Sequence, residues 1–249
     1  MSPISRRALR ALSFVALLAG AAGAQSRSPE EILSRYSKTV DPDGKIATIE
    51  GMRTVSTMEI PQAGMNATIS GVQRRPNQIV MIITVPGLGE MKQGFDGTTA
   101  WASDPMSGPR LMTDAEAKQI QDGADFRFMG RSPDHFAKIE AAGEAQVDGE
   151  AADCVKLTWK SERVTTECFS RASGLMIEMR TKAVTPQGEV ETVSRMYDYK
   201  AVGGVLMPHR IENQLMGMTQ KILITEVEAG PVDAKLFELP PEIKALKKP

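Results

Sequence analysis

Net charge, aromatic residues, histidine and cysteine are all scarce in this 249-residue chain, and each shortage removes a class of function. Thirty basic residues stand against 31 acidic ones, leaving a formal charge of −1. Nucleic-acid binding depends on Lys and Arg neutralising phosphates, so a balanced chain carries no footprint for it. Only two histidines are present, His135 and His209. His135 follows Ser132 and Asp134. Neighbours on one turn cannot converge as a catalytic triad does, and no Gly-x-Ser-x-Gly elbow between strand and helix accompanies them. His209 follows Pro208 in a strand-like run and reads as a surface residue. No His, Cys or carboxylate set has zinc or calcium spacing. Gly87, Gly89 and Gly94 precede no helix and so make a turn rather than a phosphate cradle. The sequence therefore points to a protein that is not an enzyme and needs no cofactor.

The two cysteines, Cys154 and Cys168, lack the Cys-x-x-Cys spacing of redox catalysts. They sit on consecutive strand-like runs. A hairpin centred on Ser161 would bring them face to face. Pairing Trp159 with Val164 and Leu157 with Thr166 would instead align the apolar faces and send the cysteines to opposite sides. A slip of one residue decides between the two, and the sequence leaves the bond open.

Long apolar runs are also missing, except one near the amino terminus. Arg6, Arg7 and Arg10 precede the apolar stretch Ala11 to Ala22, which ends in Ala22-Gly23-Ala24. This is the layout of a cleavable secretory signal, and the apolar run is shorter than a transmembrane helix requires. Residues 1–24 are thus expected to be removed and residues 25–249 to form one periplasmic domain. The signal takes three arginines and no acidic residue with it, moving the formal charge from −1 to −4. No cysteine stands at the cleavage point, so the mature chain would carry no lipid anchor of its own.

Methionine, by contrast, is abundant at 15 residues, while aromatics are only 5% of the chain. Methionine fills irregular space and suits surfaces that accept varied apolar ligands, so this ratio fits either a pliable core or a pliable binding wall. Ser28, Pro29 and Glu31 open a helix with a capping box, and Ile32, Tyr36 and Val40 give it one apolar stripe. Beyond Ile49 the pattern alternates with period two. Met52, Thr54, Ser56, Met58 and Ile60 share one face, and further runs lead through Ile79–Ile83 to Ile222 and Ile224. Turn signals lie at Asp96-Gly97, Asp148-Gly149 and Ala172-Ser173-Gly174. About ten strands with short connections make a mainly β, α+β protein with an antiparallel barrel or sandwich. The series is broken at 104–136 by a Pro/Gly-rich loop and a helix whose cap is Thr113 and Glu116, followed by a helix start at Ser132-Pro133.

Several of these segments in order resemble the outer membrane lipoprotein-sorting protein family. They include Gln93-Gly94-Phe95-Asp96-Gly97-Thr98-Thr99-Ala100-Trp101 and Val147-Asp148-Gly149 running into Cys154-Val155-Lys156-Leu157. Ser173-Gly174-Leu175-Met176, Tyr199 through Pro208, and Asp233-Ala234-Lys235-Leu236-Phe237 continue the series. That family is similar to the periplasmic carrier LolA and to LolB-like proteins. The resemblance implies a half-open antiparallel β-barrel whose concave face is covered by helices, with an acyl-binding cavity between them. It implies a carrier, acting as a monomer, that takes lipid acyl chains or acylated lipoproteins from an inner-membrane donor to an outer-membrane acceptor. A lipid-sensing regulatory module of the same fold, acting through a protein partner, is the alternative. On this reading the inward residues Leu157, Trp159, Ile177, Met179, Leu215, Ile222 and Ile224 face Ile32, Tyr36, Ile120 and Phe126 across the cavity.

Overall fold

A computed structural model describes residues 27–185 and 188–247. The expected signal segment, 1–24, lies outside the described residues. Helix α1 (Pro29–Val40) starts as the sequence requires, with Ser28 and Glu31 closing a reciprocal capping box. Six strands come next: β1 (Gly51–Ile60), β2 (Met65–Arg74), β3 (Gln78–Val85), β4 (Gly89–Phe95), β5 (Ala100–Asp104) and β6 (Gly108–Leu111). Helices α2 (Asp114–Ala124) and α3 (Arg127–Gly130) interrupt them. Seven more strands complete the sheet: β7 (Phe136–Val147), β8 (Glu150–Trp159), β9 (Val164–Ser170), β10 (Met176–Thr185), β11 (Gly188–Val202), β12 (Val205–Leu215) and β13 (Met218–Ala229). A short helix, α4 (Pro241–Leu246), closes the chain.

The described strands thus number thirteen rather than about ten. The ones that escaped the sequence reading, β6 and β7, form the two edges. β6 is four residues long and contains Pro109. β7 is mostly exposed, so burial imposes no alternating pattern on it. Ser132-Pro133 begins only a single 3₁₀ turn, Pro133–His135, after which Phe136 enters β7. Asp148-Gly149 is a two-residue hairpin turn, with φ of 49° and 83° as a type I′ turn needs. The Asp96 connection is longer, because its carboxylate accepts from the backbone of Thr98 and Thr99 and holds four residues out of the ladder.

All strands belong to one antiparallel sheet in the order β6-β5-β4-β3-β2-β1-β13-β12-β11-β10-β9-β8-β7, so the ladder is open. Its curl is dictated by one helix. α2 packs on β3, β4 and β5, and also on β10. Seven strand spacings separate β4 from β10 in that order, about 34 Å on a flat sheet. The 11 residues of α2 span only about 16 Å. The sheet must bend round the helix, which lies across the opening like a strap.

Candidate functional site

The inner face of the curled sheet divides into a sealed half and an open half. α1 seals the first. Ile32, Leu33, Tyr36 and Val40 pack with Phe136, Val155, Leu157, Trp159, Phe169, Met176 and Met196 in one core cluster. Tyr36 meets Phe169 edge-on at 5.1 Å, and Phe128 stacks on Trp159 at 5.3 Å. Arg35 ties α1 down further by donating to the carbonyls of Arg171 and Ala172, both at 2.9 Å. Leu157 and Trp159 are 0% and 2% exposed. Both are packed in that core, and Trp159 also borders a small cleft beside His135 and Asp125.

This half also holds an ion pair that the sequence reading missed. Arg131 Nε donates to Glu167 Oε2 at 2.6 Å, with both side chains fully buried. Arg131 sits on the Phe128 ring and also donates to the Phe128 carbonyl. Thr165 accepts from Trp159 Nε1 and donates to Glu167. Burial opposes charge on Arg131, but the neighbouring Glu167 carboxylate outweighs it and raises the pKa above arginine's ordinary value. The pair explains the β8–β9 register. Leu157 faces Thr165 and Val155 faces Glu167, so the inner face of β9 is polar by sequence yet satisfied in place. Cys154 faces Cys168 on the other side of the sheet, and the two form a disulfide with S–S 2.01 Å.

Ile177 lies with that disulfide rather than inside. The ladder shifts between Met176 and Glu178, and this bulge places Ile177 against Val147, Ala152, Cys154 and Cys168. Met176 and Met179 keep to the α1 side. Phe126 is 1% exposed in a second closed cluster with Ile46, Ile49, Met52 and Val205. Ile120 packs beneath α2 on Phe95, Ala100 and Ile79.

The open half is formed by β12, β13, β1, β2 and β3. Pairing in register puts Ile211 opposite Ile222, Ile222 opposite Met58, Ile224 opposite Ser56, Ser56 opposite Ile69, and Ile69 opposite Ile83. These residues share the face that carries Ile79 and Phe95 under α2. Ile69, Ile83, Ile211, Leu215, Ile222 and Ile224 are only half-buried. Among the eleven residues expected to line a cavity, Leu215, Ile222 and Ile224 are the ones in this half-buried stretch, where Ile69, Ile83 and Ile222 pack against a smaller buried cluster of Met58, Ile60, Ala67 and Val85. Ile69 and Ile83 had a signal in the apolar run 79–83 and the alternation of 67–74, but nothing in one dimension says which part of an inner face a helix leaves uncovered.

α2 is held across the opening by its apolar seam of Ala117, Ile120 and Ala124 and by polar contacts along its length. Arg110 donates through both terminal nitrogens to Glu116 at 2.9 and 2.8 Å, and Thr113 adds its backbone and hydroxyl. These bonds, against some cost of burial, pull the Glu116 pKa down from 4.5 to about 2. At the far end, Asp122 accepts from Ser161 (2.7 Å) and Arg163 (2.9 Å) in the β8–β9 turn, and Lys118 pairs with Glu162. Between the first half of α2, that turn, β10 and β11 lies a cleft of about 770 Å³, lined mostly by charged and hydroxyl-bearing residues.

His135 Nε2 contacts Asp125 Oδ2 at 3.2 Å rather than its neighbour Asp134, and its ring stacks on Trp159. Among the described residues no group of three or more His, Cys, Asp or Glu could hold a metal ion. No described helix is long and apolar enough to cross a membrane.

No protein-family model matches the sequence, and no curated protein sequence matches it. Solved structures do match in shape. A LolA superfamily protein from Nitrosomonas europaea superposes with TM-score 0.57 at 12% identity, covering 86% of this chain and 99% of its own. A DUF1329 family protein from Desulfovibrio piger gives 0.57 at 10% identity, covering 86% and 98%. A domain named for outer membrane lipoprotein sorting, from Vibrio parahaemolyticus, gives 0.53 at 8% identity, covering 84% and 95%. At such identities the likeness speaks for the fold alone. The chain has a LolA-like fold.

Proposed function

We propose that this chain is an exported periplasmic carrier that shelters the acyl chains of lipids or lipoproteins against the open half of its inner face. It would receive them from an inner-membrane donor and pass them toward an outer-membrane acceptor. The observation that carries this reading is the half-buried strip of Ile69, Ile83, Ile211, Ile222 and Ile224, which lies on the inner face between the α1 core and the apolar seam of α2.

Water exposure of a hydrocarbon tail costs about 0.8 kcal/mol per methylene. A tail therefore needs cover to cross an aqueous compartment, and that cover must also let go. An open trough beside a strap meets both needs, since it shields one side of the tail and keeps the exit short. Polar anchors along α2 suit an element that must yield to cargo. The LolA-like fold of the chain is consistent with this use.

Native mass spectrometry of the full protein, purified from its own periplasm without detergent, tests the reading. Solvent extraction then identifies the adduct. Acylated cargo released as a stoichiometric mass supports it. Protein that is consistently free of lipid, and that takes up none from vesicles, refutes it.

A further inference from the structure

The inner face carries a run of hydrogen-bonding side chains that its apolar surroundings do not explain. In register, Thr181 of β10 faces Thr192 of β11, Ser194 faces Asn213 of β12, and Asn213 faces Gln220 of β13. The run crosses four adjacent strands and ends beside Ile222 on the open strip. Ser194 donates to Asn213 Oδ1 at 2.7 Å, and Thr181 donates to the Val164 carbonyl. The Thr192 hydroxyl is buried and has no partner. Buried polar groups are nearly always paired, so an orphan within a polar row needs a reason. Thr181 and Thr192 also line the cleft beneath α2, so the row leads from that cleft to the hydrocarbon strip.

We infer that this row holds the uncharged ester or amide linkage of an acylated ligand, with the tail running from it over Ile222 and Ile224. The inference rests on the acyl-binding reading and names the chemical class of the ligand's polar end. Hydroxyl and amide groups can donate to a carbonyl oxygen or accept from a hydroxyl, and no residue of the row is ionisable. The basic side chains that line the cleft are already matched: Lys118 with Glu162, Arg163 with Asp122, Lys182 with Glu189, and Arg180 with Glu178. A phosphate would have to break one of those pairs, whereas a carbonyl would not. The row thus favours a linkage over a charged head group.

The test uses the full protein and competition against a bound fluorescent hydrocarbon, diphenylhexatriene. A dioleoyl glycerol, its dioleyl ether lacking both carbonyl oxygens, and the matching phosphatidic acid are the competitors. One or two added hydrogen bonds predict a diester preference over the diether of about five- to tenfold. The double variant Thr192→Val with Asn213→Leu abolishes that preference and leaves diether affinity unchanged. Gln220→Leu, at the more accessible end of the row, serves where the double variant does not fold. Equal affinity of the unaltered protein for diester and diether overturns the inference and spares the acyl-binding reading. So does tighter binding of phosphatidic acid, or equal loss of both neutral ligands in the variants. Failure to bind any competitor or the hydrocarbon probe overturns both.

Discussion

Substituting Ile222 with glutamate should strip the protein of acyl binding while leaving it folded. A tail of about 15 methylenes gains about 12 kcal/mol when fully sheltered. An open trough covers roughly one side, about 6 kcal/mol, which corresponds to a dissociation constant of tens of micromolar. Ile222 stands in mid-strip, opposite both Ile211 and Met58. A carboxylate there stays hydrated only if three or four methylenes lift away, a loss of about 1–2 kcal/mol for a tail sheltered on one side, or roughly 5- to 30-fold in affinity. Folding should tolerate the change at a cost of about 1–2 kcal/mol, because Ile222 is only half-buried and the α1 core is untouched. Leu223→Glu is the matched control. Leu223 is 48% exposed, and its side chain points to the other face of the same strand. Titration with a fluorescent fatty acid, alongside circular dichroism, reads the outcome. A folded Ile222→Glu protein with undiminished affinity, or equal loss in Leu223→Glu, would refute the reasoning.

The ion pairs give two further expected outcomes. Arg131→Met leaves Glu167 buried without its partner and should cost about 3–5 kcal/mol in urea denaturation, whereas replacing both members with apolar residues recovers most of it; equal loss in the single and double variants would count against the pair as described. Glu116 has a folded pKa of about 2 against an ordinary 4.5, so its contribution is complete above pH 4.5 and disappears as the pH falls from there toward 2. Glu116→Gln should lower stability by about 1–2 kcal/mol at neutral pH, with the gap to the unaltered protein closing across that acidic window; a gap independent of pH would show that the carboxylate's charge does not hold the strap.

What the sequence reveals and what it hides divide along physical lines. Capping boxes at Ser28 and Thr113 are local chemistry, and both helices begin where those residues place them. Period-two alternation is likewise local, and it put Met52 through Ile60 on one face before any pairing was known. Ile177 was misplaced because a bulge inserts one residue and flips the facing of the residues beyond it, and nothing in Leu175–Met179 announces it. The cysteine pairing stayed open because a buried Glu167 looks like an outward residue until Arg131, 36 positions away, is brought to it. β7 was missed because an exposed edge strand buries too little to leave a pattern. Leu157 and Trp159 pack against α1, but whether an inward residue lines a hollow or fills one depends on how closely that helix approaches.

Photo-crosslinking tests the location of the cargo most directly. A palmitoyl chain bearing a diazirine near its end would be bound to the full protein, irradiated, and its adducts mapped to single residues. The account predicts labels on Ile69, Ile83, Ile222 and Ile224, with their outward neighbours Leu223 and Thr225 unlabelled. Adducts concentrated on the outer face, or among Leu157, Trp159 and Tyr36, would contradict it.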